Sequence, residues 1–209
     1  MRLLCFGDSW TAGHGVETDV RFKENPSPEE AAGIIIKLRV MNSWPRWLSE
    51  KFDCQFINFG VCGYGNQYIL NDITSVKEGG FLEPDDVIIV MLSYPYRYVK
   101  DTTEVAQIFW KMEKILKDHK HFYFNSFFPT FKEEEFDTKN LPSTFINPDF
   151  CVSDMLIEYE KKNDVSVWEY GSRSVWNDED NYREGDYHPN LLGYKLIADF
   201  IYNEIKDKL

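Results

Sequence analysis

The chain reads as blocks of apolar residues whose period switches between that of buried strands and that of helices. Arg2 to Phe6 is apolar after its first residue, without the polar alternation of a half-exposed strand, as expected of a parallel strand covered on both faces. Cys54 to Phe59 and His121 to Phe127 read as further strands, and Asp86 to Leu92 (DVIIVML) is the clearest of all, introduced by the turn Glu83-Pro84-Asp85. Val165 to Trp168 is a short fifth candidate. Between the strands the period becomes helical. Helices are expected from Trp44 to Lys51 behind Ser43, from Asn66 to about Val76, and from Thr102 to Asp118, where Val105, Ile108, Phe109, Met112, Ile115 and Leu116 form one face. Met155 to Lys162 and a last helix opened by Pro189, with Leu192, Leu196, Ile197, Phe200 and Ile201 inward, complete the set. Residues 15–42 and 128–150 carry turn signals and read as loop insertions, and Gly171 to Gly185 reads as polar loop.

Strand–helix alternation of this kind predicts an α/β fold, a flavodoxin-like doubly wound and mainly parallel five-stranded sheet with helices on both faces. The length, 209 residues, suits one domain spanning 1–209 and large enough to bury a core without staples.

Composition narrows the function classes. With 23 basic and 35 acidic residues the net charge is −12, which repels phosphate backbones and anionic lipid, so neither nucleic acid nor a membrane is an expected partner. No apolar run approaches the ~20 residues of a bilayer span, and MRLLCFGDSW turns polar too soon for a signal peptide. Cys5, Cys54, Cys62 and Cys151 lack zinc spacing and read as thiols in a reducing compartment. These features suggest a cytoplasmic protein, with a virion or another export route still open, and they say nothing of oligomeric state. No carboxylate–histidine cluster has ligand spacing, so no metal and no cofactor is expected. Aromatic residues make up 16% of the chain, enough to furnish aromatic loops as well as the core.

Two motifs carry chemistry. Gly7-Asp8-Ser9-Trp10 follows the first strand, where a serine hydroxyl would stand at the sheet's carboxyl edge with its own N–H available to an oxyanion. Gly185-Asp186-Tyr187-His188-Pro189-Asn190 precedes the last helix, where Asp186 could orient the His188 imidazole. Either alone reads more readily as a turn or a cap. Together, an N-terminal GDS and a C-terminal D-x-HPN-xx-GY resemble the GDSL/SGNH hydrolase superfamily across almost the whole chain. The resemblance implies Ser9 as nucleophile, His188 as general base and Asp186 as its orienting carboxylate. In Asn58-Phe59-Gly60-Val61-Cys62-Gly63 it implies that the Gly63 N–H joins the oxyanion hole, glycine being needed there to keep a side chain off the substrate oxygen.

Two departures stand out. Where the family has Gly-x-Asn-Asp, this chain has Leu92-Ser93-Tyr94-Pro95, so the oxyanion donor falls to Tyr94, Ser93, Asn66 or Arg97. The family's commonest spacing sets the Asp three before the His; here Gly185 stands there and Asp186 stands two before, with Glu184 in reserve. Arg97, among Tyr94, Tyr96 and Tyr98, could bind a carboxylate or sugar hydroxyls, or form a structural ion pair. His14 and His119 read as remote from the motifs. The expected activity is hydrolysis of small acyl esters, O-acetyl groups on carbohydrate among them. Two other readings are a non-catalytic glycan-binding or scaffold module, favoured by the altered third block, and a flavin or nucleotide binder, disfavoured by Asp8 where phosphate would approach.

Overall fold

The computed structural model describes residues 1–16, 27–99, 101–126, 141–168 and 188–209, together with the backbone of 176–177 and 182–183. Its central sheet has four parallel strands: β1 (Arg2–Gly7), β2 (Gln55–Gly60), β3 (Asp86–Leu92) and β4 (Lys120–Asn125), in the order β2-β1-β3-β4. The helices are α1 (Ser9–Ala12), α2 (Pro28–Asn42), α3 (Trp44–Phe52), α4 (Asn66–Glu78), α5 (Thr102–Leu116), α6 (Val152–Asn163) and α7 (Leu191–Ile205).

Side-chain alternation divides the core into two layers. Leu3 and Cys5 of β1 and Val87, Ile89 and Met91 of β3 pack toward α3, α6 and α7. Leu4, Phe6, Ile88, Val90 and Leu92 pack toward α4 and α5. All seven residues of β3 are buried, which is why its sequence is the least interrupted. β2 lies at one edge, alternating exposed with half-buried residues from Gln55 to Asn58 and half-buried from there to Gly60.

The expected fifth strand is not in the sheet. Val165–Trp168 makes only an isolated antiparallel bridge, Trp168 to Pro189. The free edge of β4 is taken instead by part of the presumed 128–150 loop: the Tyr123 N–H donates to the Thr144 carbonyl, the Ile146 N–H donates to the Tyr123 carbonyl, and Asn125 bridges Cys151. With those edge groups satisfied, a fifth strand has no place beside Tyr123 and Asn125. The expectation of a loop over 15–42 is corrected as well, for α2 fills 28–42. Ser27 and Glu30 form a reciprocal capping box, with Pro28 in the first turn. The helix escaped notice because it buries no residue and so shows no single apolar stripe. Two other local expectations fail. Pro189 does not open the last helix, since Asn190 caps it and α7 starts at Leu191. The polar 171–185 stretch contains a short antiparallel pair, β5 (Trp176–Asn177) with β6 (Tyr182–Arg183).

His121, on β4, gives the fold a pH dependence. Its Nε2 lies 2.9 Å from Glu113 Oε2 and its Nδ1 2.8 Å from the His119 carbonyl, so both ring nitrogens face acceptors, a pairing that only the protonated ring satisfies in full. Burial alone would push its pKa down, but these partners outweigh it and hold it above the ordinary histidine value. A raised folded-state pKa stabilises below the unfolded value of ~6.5, and the contribution is lost as pH rises through the folded pKa. Denaturant unfolding between pH 6 and 9 is therefore expected to show wild type losing stability more steeply than His121→Gln. The extra slope is at most about 1.4 kcal/mol per pH unit, the limit for one proton. Parallel pH profiles would contradict a raised folded-state pKa at His121.

Candidate active site

All four strands run parallel, so their carboxyl ends share one edge, and the chain turns to opposite sides of β1 there. The crevice between the ends of β1 and β3 is where ligands bind in such sheets. The GDS motif occupies it. Asp8 caps α1 by accepting from the Trp10 N–H at 3.0 Å, which starts the helix at Ser9. The helix lasts one turn and stops at Gly13, whose φ of +82° is open to glycine. Ser9 is 94% buried by its surroundings, being only 6% exposed.

α1 lies directly on the end of β2. A Cβ on Gly60 would stand 2.2 Å from the Ala12 nitrogen and 2.5 Å from the Thr11 carbonyl carbon. Asn58 locks this approach: its amide donates to the Thr11 carbonyl at 2.7 Å and to Ser43 Oγ at 3.2 Å, while its Oδ1 accepts from the Gly60 N–H at 2.8 Å. Sequence reasoning saw Asn58 only as the lead-in to a glycine loop. A carboxamide flanked by apolar residues inside a strand was the available signal.

Across the crevice, Ser93 Oγ donates to Asp8 Oδ2 at 2.7 Å, both groups being fully buried. Burial pushes the Asp8 carboxyl up, and the hydrogen bonds from Ser93 and Trp10 and the charge of Arg97 offset this only in part. Asn66 brackets the same residue, accepting from the Ser93 N–H at 2.8 Å and donating to the Ser93 carbonyl at 3.2 Å. Asn66 is thus the first residue of α4 rather than its cap; Gly65 is the cap. Arg97 donates to the Tyr64 carbonyl at 3.3 Å, joining the loop after β3 to the loop after β2. Tyr94 is 39% exposed, with its ring 6.0 Å from Tyr96. Gly63 has φ +83° with open space where a Cβ would go. Its glycine requirement within the protein is therefore conformational rather than steric.

The C-terminal motif arrives at the same edge. Asn190 caps α7 through the Gly193 N–H at 3.0 Å and ties back to the Val167 and Ser166 carbonyls. That holds His188 in place, 2% exposed. Its ring packs against that of His14, with centroids 4.1 Å apart and planes tilted by 50°; the His14 backbone N–H donates to the Ser9 carbonyl at 3.0 Å and its carbonyl accepts from Tyr194 Oη at 2.6 Å. The expectation that His14 stands apart from the motifs is wrong: it is the physical link between the Ser9 turn and the His188 loop. Trp10 and Trp168, 6.0 Å apart, close the same junction. Asp186 and the reserve Glu184 lie outside the described residues. The described residues contain no group of three or more His, Cys, Asp or Glu side chains placed to hold a metal.

No protein-family model and no curated protein sequence matches the chain. Solved structures do. A member of the lipolytic protein G-D-S-L family from Veillonella parvula matches over all of both chains at 18% identity and a TM-score of 0.51. The esterase EstA from Pseudoalteromonas sp. matches at 13% identity and 0.51, over 99% of this chain and 97% of that one. A family two carbohydrate esterase from Clostridium thermocellum matches at 15% and 0.52, over 99% of this chain and 63% of that one. Identities this low establish architecture. The motifs at the two ends of the sequence and the course of the backbone between them lead to the same place: this chain has the α/β/α fold of the GDSL/SGNH hydrolase superfamily.

Proposed function

We propose that the protein is a serine carboxylic-ester hydrolase. The observation that carries this reading is the convergence of the Ser9 turn and buried His188, through His14, at the carboxyl edge of the sheet. Ser9 Oγ attacks the ester carbonyl carbon while His188 takes its proton. The tetrahedral oxyanion is held by the N–H groups of Ser9 and Gly63 and by a side-chain donor. Collapse breaks the ester C–O bond, and the imidazolium returns its proton to the departing alcohol. Water, activated by His188, then attacks the acyl-enzyme and releases the acid and Ser9. Asp186 orients and stabilises the imidazolium, and Arg97 contacts the substrate. None of these steps requires a cofactor.

Among the candidate side-chain donors, the geometry favours Asn66. The one hydroxyl proton of Ser93 is committed to Asp8, whereas the Asn66 amide has two protons and the Ser93 carbonyl uses one. Asn66→Asp keeps the acceptor for the Ser93 N–H but removes both donors, and is expected to lower kcat about 10²–10³-fold, the usual cost of one oxyanion donor. A fall of that size in Tyr94→Phe, with Asn66→Asp intact, would transfer the role to Tyr94.

The proposed substrates are small acyl esters, O-acetylated carbohydrate included. The proposed setting is the cytoplasm, a reading supported by four cysteines that all stand as free thiols. The substituted third block favours a second reading, a non-catalytic carbohydrate-binding module. Release of acid from ethyl acetate, followed by titration at constant pH, separates them: sustained turnover supports the hydrolase, and none supports the module.

A further inference from the structure

The geometry points to a carbohydrate-ring subsite on Tyr64, Tyr68 and Tyr98, beside the proposed oxyanion loop, an inference that rests on the ester-hydrolase reading. Tyr64 directly follows Gly63 in the chain, so the platform begins where the substrate oxygen would bind. The Tyr64 and Tyr68 rings lie 5.2 Å apart, and Tyr98 stands edge-on to Tyr68 at 5.7 Å. A ring packed between two others would ordinarily be largely hidden, yet Tyr68 is 45% exposed, and its neighbour Tyr98 68%.

Tyr98 is held there against its backbone preference. Its φ is +67°, a conformation that a bulky residue adopts only under constraint. The constraint is visible. A Cβ on Gly65 would meet the Arg97 carbonyl at 2.6 Å and the Tyr98 ring at 3.2 Å, so the two loops touch backbone to backbone. Arg97 adds the hydrogen bond to the Tyr64 carbonyl. The fold thus spends strain to show an aromatic face to solvent, next to a cation whose charge reaches Asp8 under the Ser9 turn.

The chemistry of these side chains selects the ligand. A simple acyl chain would need an enclosed, wholly apolar groove; these rings are open and end in hydroxyls. A nucleic-acid base would stack equally well, but a net charge of −12 repels its backbone. A pyranose offers an apolar C–H face to a tyrosine ring and hydroxyls at its rim to tyrosine and arginine. With its ester carbonyl at Ser9, the sugar ring of an acylated carbohydrate would extend over Tyr64 toward Tyr68 and Tyr98.

The test compares kcat/KM for glucose pentaacetate with kcat/KM for ethyl acetate, which has no ring to stack. Tyr68→Ala and Tyr98→Ala are each expected to lower the ratio of the two about tenfold, chiefly through KM, as loss of a contacting aromatic does. Tyr98→Phe is expected to keep the ratio, because the ring face remains. Melting temperatures of all variants establish that they fold. An unchanged ratio in both alanine variants overturns the subsite and leaves the hydrolase standing. Wild-type turnover of ethyl acetate without glucose pentaacetate does the same. Turnover of neither ester overturns the hydrolase reading and the subsite with it.

Discussion

Ser9→Ala and His188→Gln are each expected to lose about 10⁶-fold in kcat on a small ester, and the double variant to lose little more. The non-additivity follows from the chemistry. A serine without its base is a weak nucleophile, and a base without its serine has no proton to take, so either deletion removes the same step. Stability should change little in Ser9→Ala, because the α1 turn is held by Asp8, Asn58 and Gly13 rather than by the Ser9 hydroxyl. His188→Gln keeps a polar side chain in a buried position, though it gives up the ring contact with His14. Initial rates and thermal unfolding, measured side by side, check both halves. A Ser9→Ala enzyme within tenfold of wild type would exclude the covalent route.

Gly60→Ala is the second variant from which a large effect is expected, although Gly60 performs no chemistry. The added methyl would stand 2.2 Å from the Ala12 nitrogen and 2.5 Å from the Thr11 carbonyl carbon. Both are backbone atoms of the helix that begins with Ser9, so no side chain can rotate away, and α1 itself must lift off β2. A displacement near 1 Å costs about 10²-fold in rate where geometry governs attack. The forced repacking costs about 1–3 kcal/mol. Gly79→Ala is the control. There the two nearest atoms belong to the Phe81 ring, which is 69% exposed and can turn aside, and the nearest backbone atom, the Ser75 carbonyl oxygen, is at 3.0 Å rather than 2.2 Å. Thermal unfolding and kcat/KM of the pair are expected to separate them clearly. Full activity in Gly60→Ala would mean that α1 is not fixed by its contact with β2.

What the sequence revealed, and what it concealed, follows from how each feature is stabilised. β1 and β3 were legible because strands buried on both faces must be apolar throughout, and α5 because one face packs on the sheet. The missing fifth strand and the unforeseen α2 share a cause. The β4 edge is completed by backbone hydrogen bonds, which carry no residue signature, and α2 is fixed by its cap rather than by a buried stripe. At the candidate site, Ser9 and His188 stand out in the sequence because their neighbours form motifs, and their proposed roles rest on those motifs. Asn58 and His14 were not, since each acts across a tertiary contact: Asn58 on the Thr11 carbonyl 47 positions away, and His14 against a ring near the other end of the chain. The partner of His188 in the sequence reading, Asp186, lies outside the described residues, and its role rests on the motif.

The central claim is that Ser9 is a nucleophile activated by His188. Its most direct test is labelling of the intact protein with a fluorophosphonate, which reports an activated serine whatever the natural substrate, followed by mass analysis of the adduct. The account predicts one adduct per chain, located on the peptide that contains Ser9, absent in Ser9→Ala and strongly slowed in His188→Gln. An unlabelled wild type, or an adduct on any other residue, would contradict it.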